Sequence, residues 1–175
     1  MTTMFRRLIF AAIAIVAGSR AYADSEWLTN YSKAVEQAKE SDKAILLDFT
    51  GSDWCPWCIK MKKETLDTGA FRDYAEKNLV LMEVDFPQNK PQPDSVKKQN
   101  AELGKKFKAD GFPTFVVVSK TGRVLWRQVG YLEGGPEAFI GDIKKVYKGS
   151  SGTGSGGGTD DFDAFFNHAG ASPTP

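Results

Sequence analysis

The sequence predicts an α/β fold, a central mixed β-sheet with helices on both faces. Three observations predict it. Short apolar runs of strand length alternate along the chain with segments whose apolar residues recur at helical spacing. The last two strand candidates follow one another across a Thr-Gly turn, which implies an antiparallel edge. The length, 175 residues with 41% hydrophobic and 26% charged content, suits a single globular domain.

In chain order, residues 25–40 place apolar or aromatic side chains at 27, 28, 31, 34, 35 and 38, a helical pattern. Ser41-Asp42-Lys43 breaks it, and Ala44 to Phe49, AILLDF, reads as a buried strand with one polar member, Asp48. Gly51-Ser52-Asp53 signals a turn, and a helix is expected from about Cys55 to Leu66. A shorter helix, Ala70 to Lys77, follows the Thr68-Gly69 break, and Leu79 to Val84 is a second buried strand. Pro87, Pro91 and Pro93 mark a loop, after which Asp94 opens a helix running to about Lys108. Phe115 to Ser119 is a third strand, and Arg123 to Val129 alternates as its hairpin partner. Pro136 to Tyr147 closes with an amphipathic helix. Strands separated by helices imply parallel pairing, apart from the hairpin.

Both ends of the chain read differently. Arg6 and Arg7 precede an 11-residue apolar stretch, Leu8 to Gly18, and then Ala21-Tyr22-Ala23. That is the layout of a secretory signal peptide over residues 1–23, too short in its apolar part to span a bilayer. The expected location is therefore outside the cytoplasm, in a periplasm or another oxidising compartment. The globular domain is assigned to residues 24–148. Residues 149–175 form a Gly/Ser-rich linker and an acidic-aromatic tail, expected to be disordered, with a docking peptide led by Phe162, Phe165 and Phe166 as the alternative.

Charge excludes little but points away from nucleic acid. The formal charge is +1, and loss of residues 1–23 would remove Arg6, Arg7 and Arg20 and no acid, leaving −2. No nucleic-acid partner is expected, and the protein is expected to be a monomer.

The chemistry must centre on Cys55-Pro56-Trp57-Cys58, which holds both cysteines of the chain. A structural zinc site wants four Cys or His ligands, and the chain adds only His168. Haem attachment needs His directly after the second cysteine, where Ile59 stands. Iron–sulfur clusters usually take four thiolates. A staple closing a loop with two intervening residues constrains the unfolded chain very little. The redox reading has positional support. The motif follows a buried strand and opens a helix, where backbone N–H groups and the dipole favour a thiolate at Cys55, at the exposed end. Cys58 shares its helical face and can reach the first sulfur. Pro56 is tolerated in the first helical turn.

The stretch Asp48-Phe49-Thr50-Gly51-Ser52-Asp53-Trp54-Cys55-Pro56-Trp57-Cys58 resembles the active-site stretch of the thioredoxin superfamily. Gly111-Phe112-Pro113-Thr114 before a strand resembles that family's cis-proline loop, and Gly130 before a final helix also matches. The resemblance spans roughly residues 25–148 and implies a thioredoxin-like fold and an exported thiol–disulfide oxidoreductase without a bound cofactor or metal. It implies Cys55 as nucleophile, Cys58 as resolving thiol, and Pro113 in a cis bond beside the sulfurs. It also implies an apolar rim of Trp54, Trp57 and Phe112 that meets protein substrates. Asp48 would be the proton acceptor for the buried cysteine, but it lies one residue further from Cys55 than the family's spacing. A longer loop would leave it in place; otherwise the insertion moves it off the sulfurs. A lysine that family members often carry on the next strand is replaced by Leu81, which would make Asp48 harder to ionise. Lys60, Lys62 and Lys63 read as a solvated helix face. The family resemblance leans toward reductase or isomerase work on protein disulfides, supplied with electrons by a membrane reductase. The alternatives are a non-catalytic binding or chaperone module using the same rim, and a metallochaperone carrying Cu(I) on the two thiolates.

Overall fold

The computed structural model describes residues 27–149; the signal-peptide and tail expectations lie outside them. Helix α1 (Tyr31–Ser41) leads into β1 (Ala44–Thr50), and α2 (Pro56–Met61) continues through a π-helical turn over Lys62–Leu66. Then follow α3 (Gly69–Asn78), β2 (Leu79–Asp85), α4 (Asp94–Lys106), β3 (Thr114–Val118), β4 (Val124–Val129) and α5 (Gly135–Val146). The sheet order is β2-β1-β3-β4, with β1 and β2 parallel and the other pairs antiparallel.

Two sequence expectations change. The first helix starts at Tyr31 instead of residue 25, because Asn30 caps it by accepting the Lys33 N–H at 3.0 Å. Trp27 and Leu28 are extended instead. Leu28 exchanges backbone hydrogen bonds of 2.9 Å with Leu81 and Glu83, adding a stub beside β2. The second change is direction. β3 follows a helix yet runs antiparallel to β1, with Phe49 opposite Thr114. The cause is the path of α4. Its Asn100 donates to the Asp85 carbonyl at the C-terminal end of β2 (2.8 Å), and Phe107, just past the helix, packs on Phe49 at the same end of β1. The helix therefore crosses that end of the sheet and delivers β3 there.

Strand periodicity divides the core in two. On one face Ile45, Leu47 and Phe49 of β1 pack with Val80, Met82 and Val84 under α1 and α4. On the other, Ala44 and Leu46 pack with Leu79 and Leu81 against α2, α3 and α5, through Met61, Phe71, Phe139 and Ile143. Every residue of β1 is buried. By alternation Asp48 and Glu83 belong to the second face, and they are register partners in the parallel pair.

Candidate active site

The C-terminal ends of β1 and β2, the start of β3 and the end of β4 meet at one end of the sheet. The site is assembled there from the loops that leave them. After β1 the chain turns at once: Trp54 and Cys55 both donate backbone N–H groups to the Gly51 carbonyl, at 3.2 and 2.9 Å. The turn is pinned to the loop after β2. Ser52 gives its N–H and its hydroxyl to the two Asp85 carboxylate oxygens (2.9 and 2.6 Å), and Asp53 accepts the N–H groups of Gln88 and Asn89. Those backbone donors hold the Asp53 carboxyl below the usual carboxylate range. Trp54 donates its indole N–H to the Phe86 carbonyl at 2.8 Å, and its ring lies over Gly51, where a Cβ would stand 2.5 Å from the indole. Only glycine leaves room for that ring.

Cys55 is the N-cap of α2, in extended backbone, and Pro56 takes the first turn. Its Sγ accepts the Cys58 N–H at 3.2 Å and is joined to Cys58 in a disulfide, with the two Cα atoms 5.3 Å apart. The expectation of an exposed Cys55 is corrected: both cysteines are only 4% exposed. The Gly51–Trp54 turn folds back on Cys55, and the solvent-facing groups are its neighbours Trp54, Trp57 and Ile59.

The Phe112–Pro113 peptide is cis, as the family resemblance implies. Pro113 is buried; its carbonyl accepts the N–H of Gly130, whose φ of 80° places it in the left-handed region. This ties the start of β3 to the end of β4.

The three rim aromatics divide into two groups. Trp54 meets Phe112 edge-on at 5.7 Å, and Phe112 meets Phe86 at 5.2 Å. Phe112 is also packed against the core of the α1/α4 face. Trp57 pairs with Tyr131 at 5.6 Å, with the Lys60 ammonium 4.4 Å from the Tyr131 ring. Phe86 and Tyr131 were missed by sequence reasoning. The available signal was position: Phe86 directly follows β2, and Tyr131 follows Gly130 beyond β4, so both leave strands that end at the site.

Asp48 stays on the buried strand. Between it and Cys55 the chain finishes β1 and makes the Gly51–Trp54 turn. Asp48 is 6% exposed, and its Oδ1 has no hydrogen-bond partner. Burial first, then the Glu83 and Asp85 carboxylates, push its carboxyl up to about 8, against the pull of the Lys62 ammonium. Leu81 is buried among apolar side chains, as expected of a position without charge. Lys60, Lys62 and Lys63 are all exposed, as a solvated face requires, and Lys62 in the π-helical turn also places its Nζ 4.0 Å from Glu83 Oε2 and 3.9 Å from Asp67 Oδ1.

The pattern of the thioredoxin-like domain matches residues 31–146. The chain belongs to the thioredoxin-like family. It is 40% identical over 128 residues to the disulfide bond reductase DsbH of Chlamydia pneumoniae, covering 73% of this chain and 76% of that protein. It is 32% identical over 101 residues to the thioredoxin-related protein DsbJ of the same organism, covering 58% of this chain and 29% of DsbJ. A solved DsbH oxidoreductase structure superposes with a TM-score of 0.67 at 35% identity, covering 83% of this chain and 95% of that one. The thioredoxin-like fold and the disulfide-bonded Cys55–Cys58 pair make this chain a thiol–disulfide oxidoreductase.

Proposed function

We propose that this thiol–disulfide oxidoreductase works as a reductase of protein disulfides, with isomerase work open to the same dithiol. The observation that carries the reading is the Cys55–Cys58 disulfide at the start of α2, at the sheet end shared with the cis Phe112–Pro113 peptide and the aromatic rim. Similarity to a disulfide bond reductase supports the direction.

In the reduced protein the Cys55 sulfur, capping α2 and facing the Cys58 N–H, is the thiolate that attacks. It forms a mixed disulfide with the substrate, whose other sulfur leaves as a thiolate and takes a proton from water. Cys58 then loses its proton to Asp48 and attacks Cys55 Sγ. The Cys55–substrate bond breaks, the Cys55–Cys58 bond forms, and two electrons have passed to the substrate. Trp54, Trp57 and Phe112 supply the apolar rim for an extended peptide, and the backbone before Pro113 pairs with it. The signal-peptide pattern over residues 1–23 supports export to a periplasm or similar compartment, where a membrane reductase would return the electrons.

The test is the reduction potential of the Cys55–Cys58 pair, by equilibration in thiol buffers. A value toward about −270 mV, the thioredoxin end of the range, is expected. A value near about −120 mV, the strong-oxidant end, would overturn the direction. Disulfide turnover is expected to vanish in Cys55→Ser, and turnover that survives would remove the catalytic reading itself.

A further inference from the structure

Asp48 follows Ala44 and Leu46, and precedes Thr50, in the row of β1 on the face that packs against α2, α3 and α5, with Oδ1 buried and unpartnered. The charged groups that face it come from two elements. β2 brings Glu83, its register partner, and Asp85, whose oxygens are held by Ser52. The π-helical turn after the cysteine helix brings Lys62. On the other side β3 places Phe115 opposite Asp48. Paired residues on neighbouring strands lie about 4.8 Å apart, so Glu83 is the nearest backbone neighbour able to carry charge. Its side chain is 26% exposed, and its Oε2 lies 4.0 Å from Nζ of Lys62, whose side chain is 47% exposed. A buried carboxylate next to a second one releases its proton reluctantly, and a cation offsets this.

We propose that Glu83 and Lys62 are positioning residues for the proton step, an opposed pair that sets the pH at which Asp48 can accept the Cys58 proton. Lys62 thereby does from the turn after α2 what a cation at the Leu81 position would do from the strand. The proposal rests on Cys58 resolving the mixed disulfide. In that step the Cys58 proton passes to the Asp48 carboxylate, the Cys58 thiolate bonds to Cys55 Sγ, and the substrate sulfur leaves with the electron pair of the broken bond. Asp48 is then reset by losing its proton to water. Glu83 and Lys62 exchange no proton with sulfur; they set the charge around Asp48.

The experiment is the rate of oxidation of the reduced protein by a peptide disulfide, followed by tryptophan fluorescence across pH 5–10. Glu83→Gln removes a like charge and is expected to move the midpoint of the profile to lower pH by about one unit. Lys62→Gln removes the cation and is expected to move it to higher pH by a similar amount. In an Asp48→Asn background neither substitution should move the profile. Denaturation midpoints of each variant confirm folding. Shifts in the same direction, no shift, or shifts that persist without Asp48 would overturn the proposal. Failure of the underlying reading looks different: Cys58→Ser would then not accumulate a mixed disulfide with the same peptide.

Discussion

Phe49 and Asp48 are adjacent in the chain and belong to the two rows of β1, on opposite faces of the sheet near its C-terminal end. The Phe49 row is apolar to its last member and lies under α1 and α4. The other row begins in the same way, with Ala44 and Leu46, and then turns polar at the point where the cysteine helix arrives. One face is filled for stability, with Phe49 packed on Phe107 and Phe107 on Tyr31. The other gives up a core position to hold a carboxyl that burial pushes up to about 8. Stability and chemistry are thus divided by the pleat of a single strand.

The largest expected effect on this comparison is on the apolar face. Phe49→Ala should destabilise by about 3–5 kcal/mol in urea unfolding, because a fully buried ring is lost and its neighbours relax only partly. The reduction potential of the remaining folded protein should be unchanged; a large shift in potential would break the division between the faces.

Asp48→Asn should act the other way, and its effect should depend on pH. The folded protein keeps Asp48 protonated up to about 8, whereas the unfolded chain releases the proton near 3.8. The native state therefore binds more protons in that window, and stability falls as pH rises through it. The contribution is complete below the unfolded value and is lost above about 8. The asparagine amide does not ionise, so the variant should lose much of this slope and exceed the parent at pH 9 by on the order of 2 kcal/mol. Denaturant midpoints between pH 4 and 10 measure it, and parallel curves would contradict the assignment.

Gly51→Ala should cost about 1–3 kcal/mol, since the new methyl must displace the Trp54 ring and its bond to the Phe86 carbonyl. Slower reaction with a peptide disulfide at unchanged potential would sharpen the picture of Trp54 as rim. The smallest effect belongs to Asn30→Ala, about 1 kcal/mol from loss of the α1 cap, with turnover unaffected. Impaired turnover in that variant would mean that the α1 face is not silent.

The strands, the cysteine helix and the cis-proline loop were legible because each is written locally, in apolar runs, a turn signal and a short motif. What escaped depends on partners distant in sequence. Trp27 and Leu28 fit a helical pattern, yet β2 captures Leu28 as an edge partner. The direction of β3 depends on α4 crossing the end of the sheet, which periodicity does not encode. Lys62 looked like one of three solvated lysines, and only the fold brings it to Glu83, 21 positions later. Asp48 was recognised as the odd polar residue of its strand. Its second carboxylate neighbour was not, because register between β1 and β2 is set by packing along the whole strand.

The Leu28 stub has a further consequence, for how the protein keeps its own company. An open sheet edge invites extended segments of other chains to join it. At β2 the stub already occupies that position by exchanging hydrogen bonds with Leu81 and Glu83. At the opposite edge β4 carries Arg127 in mid-strand, its guanidinium tied to the Lys108 carbonyl, with Arg123 just before it. One flank is closed by backbone and the other is guarded by positive charge. Both discourage the sheet from growing into extended segments of other chains, or into further copies of itself.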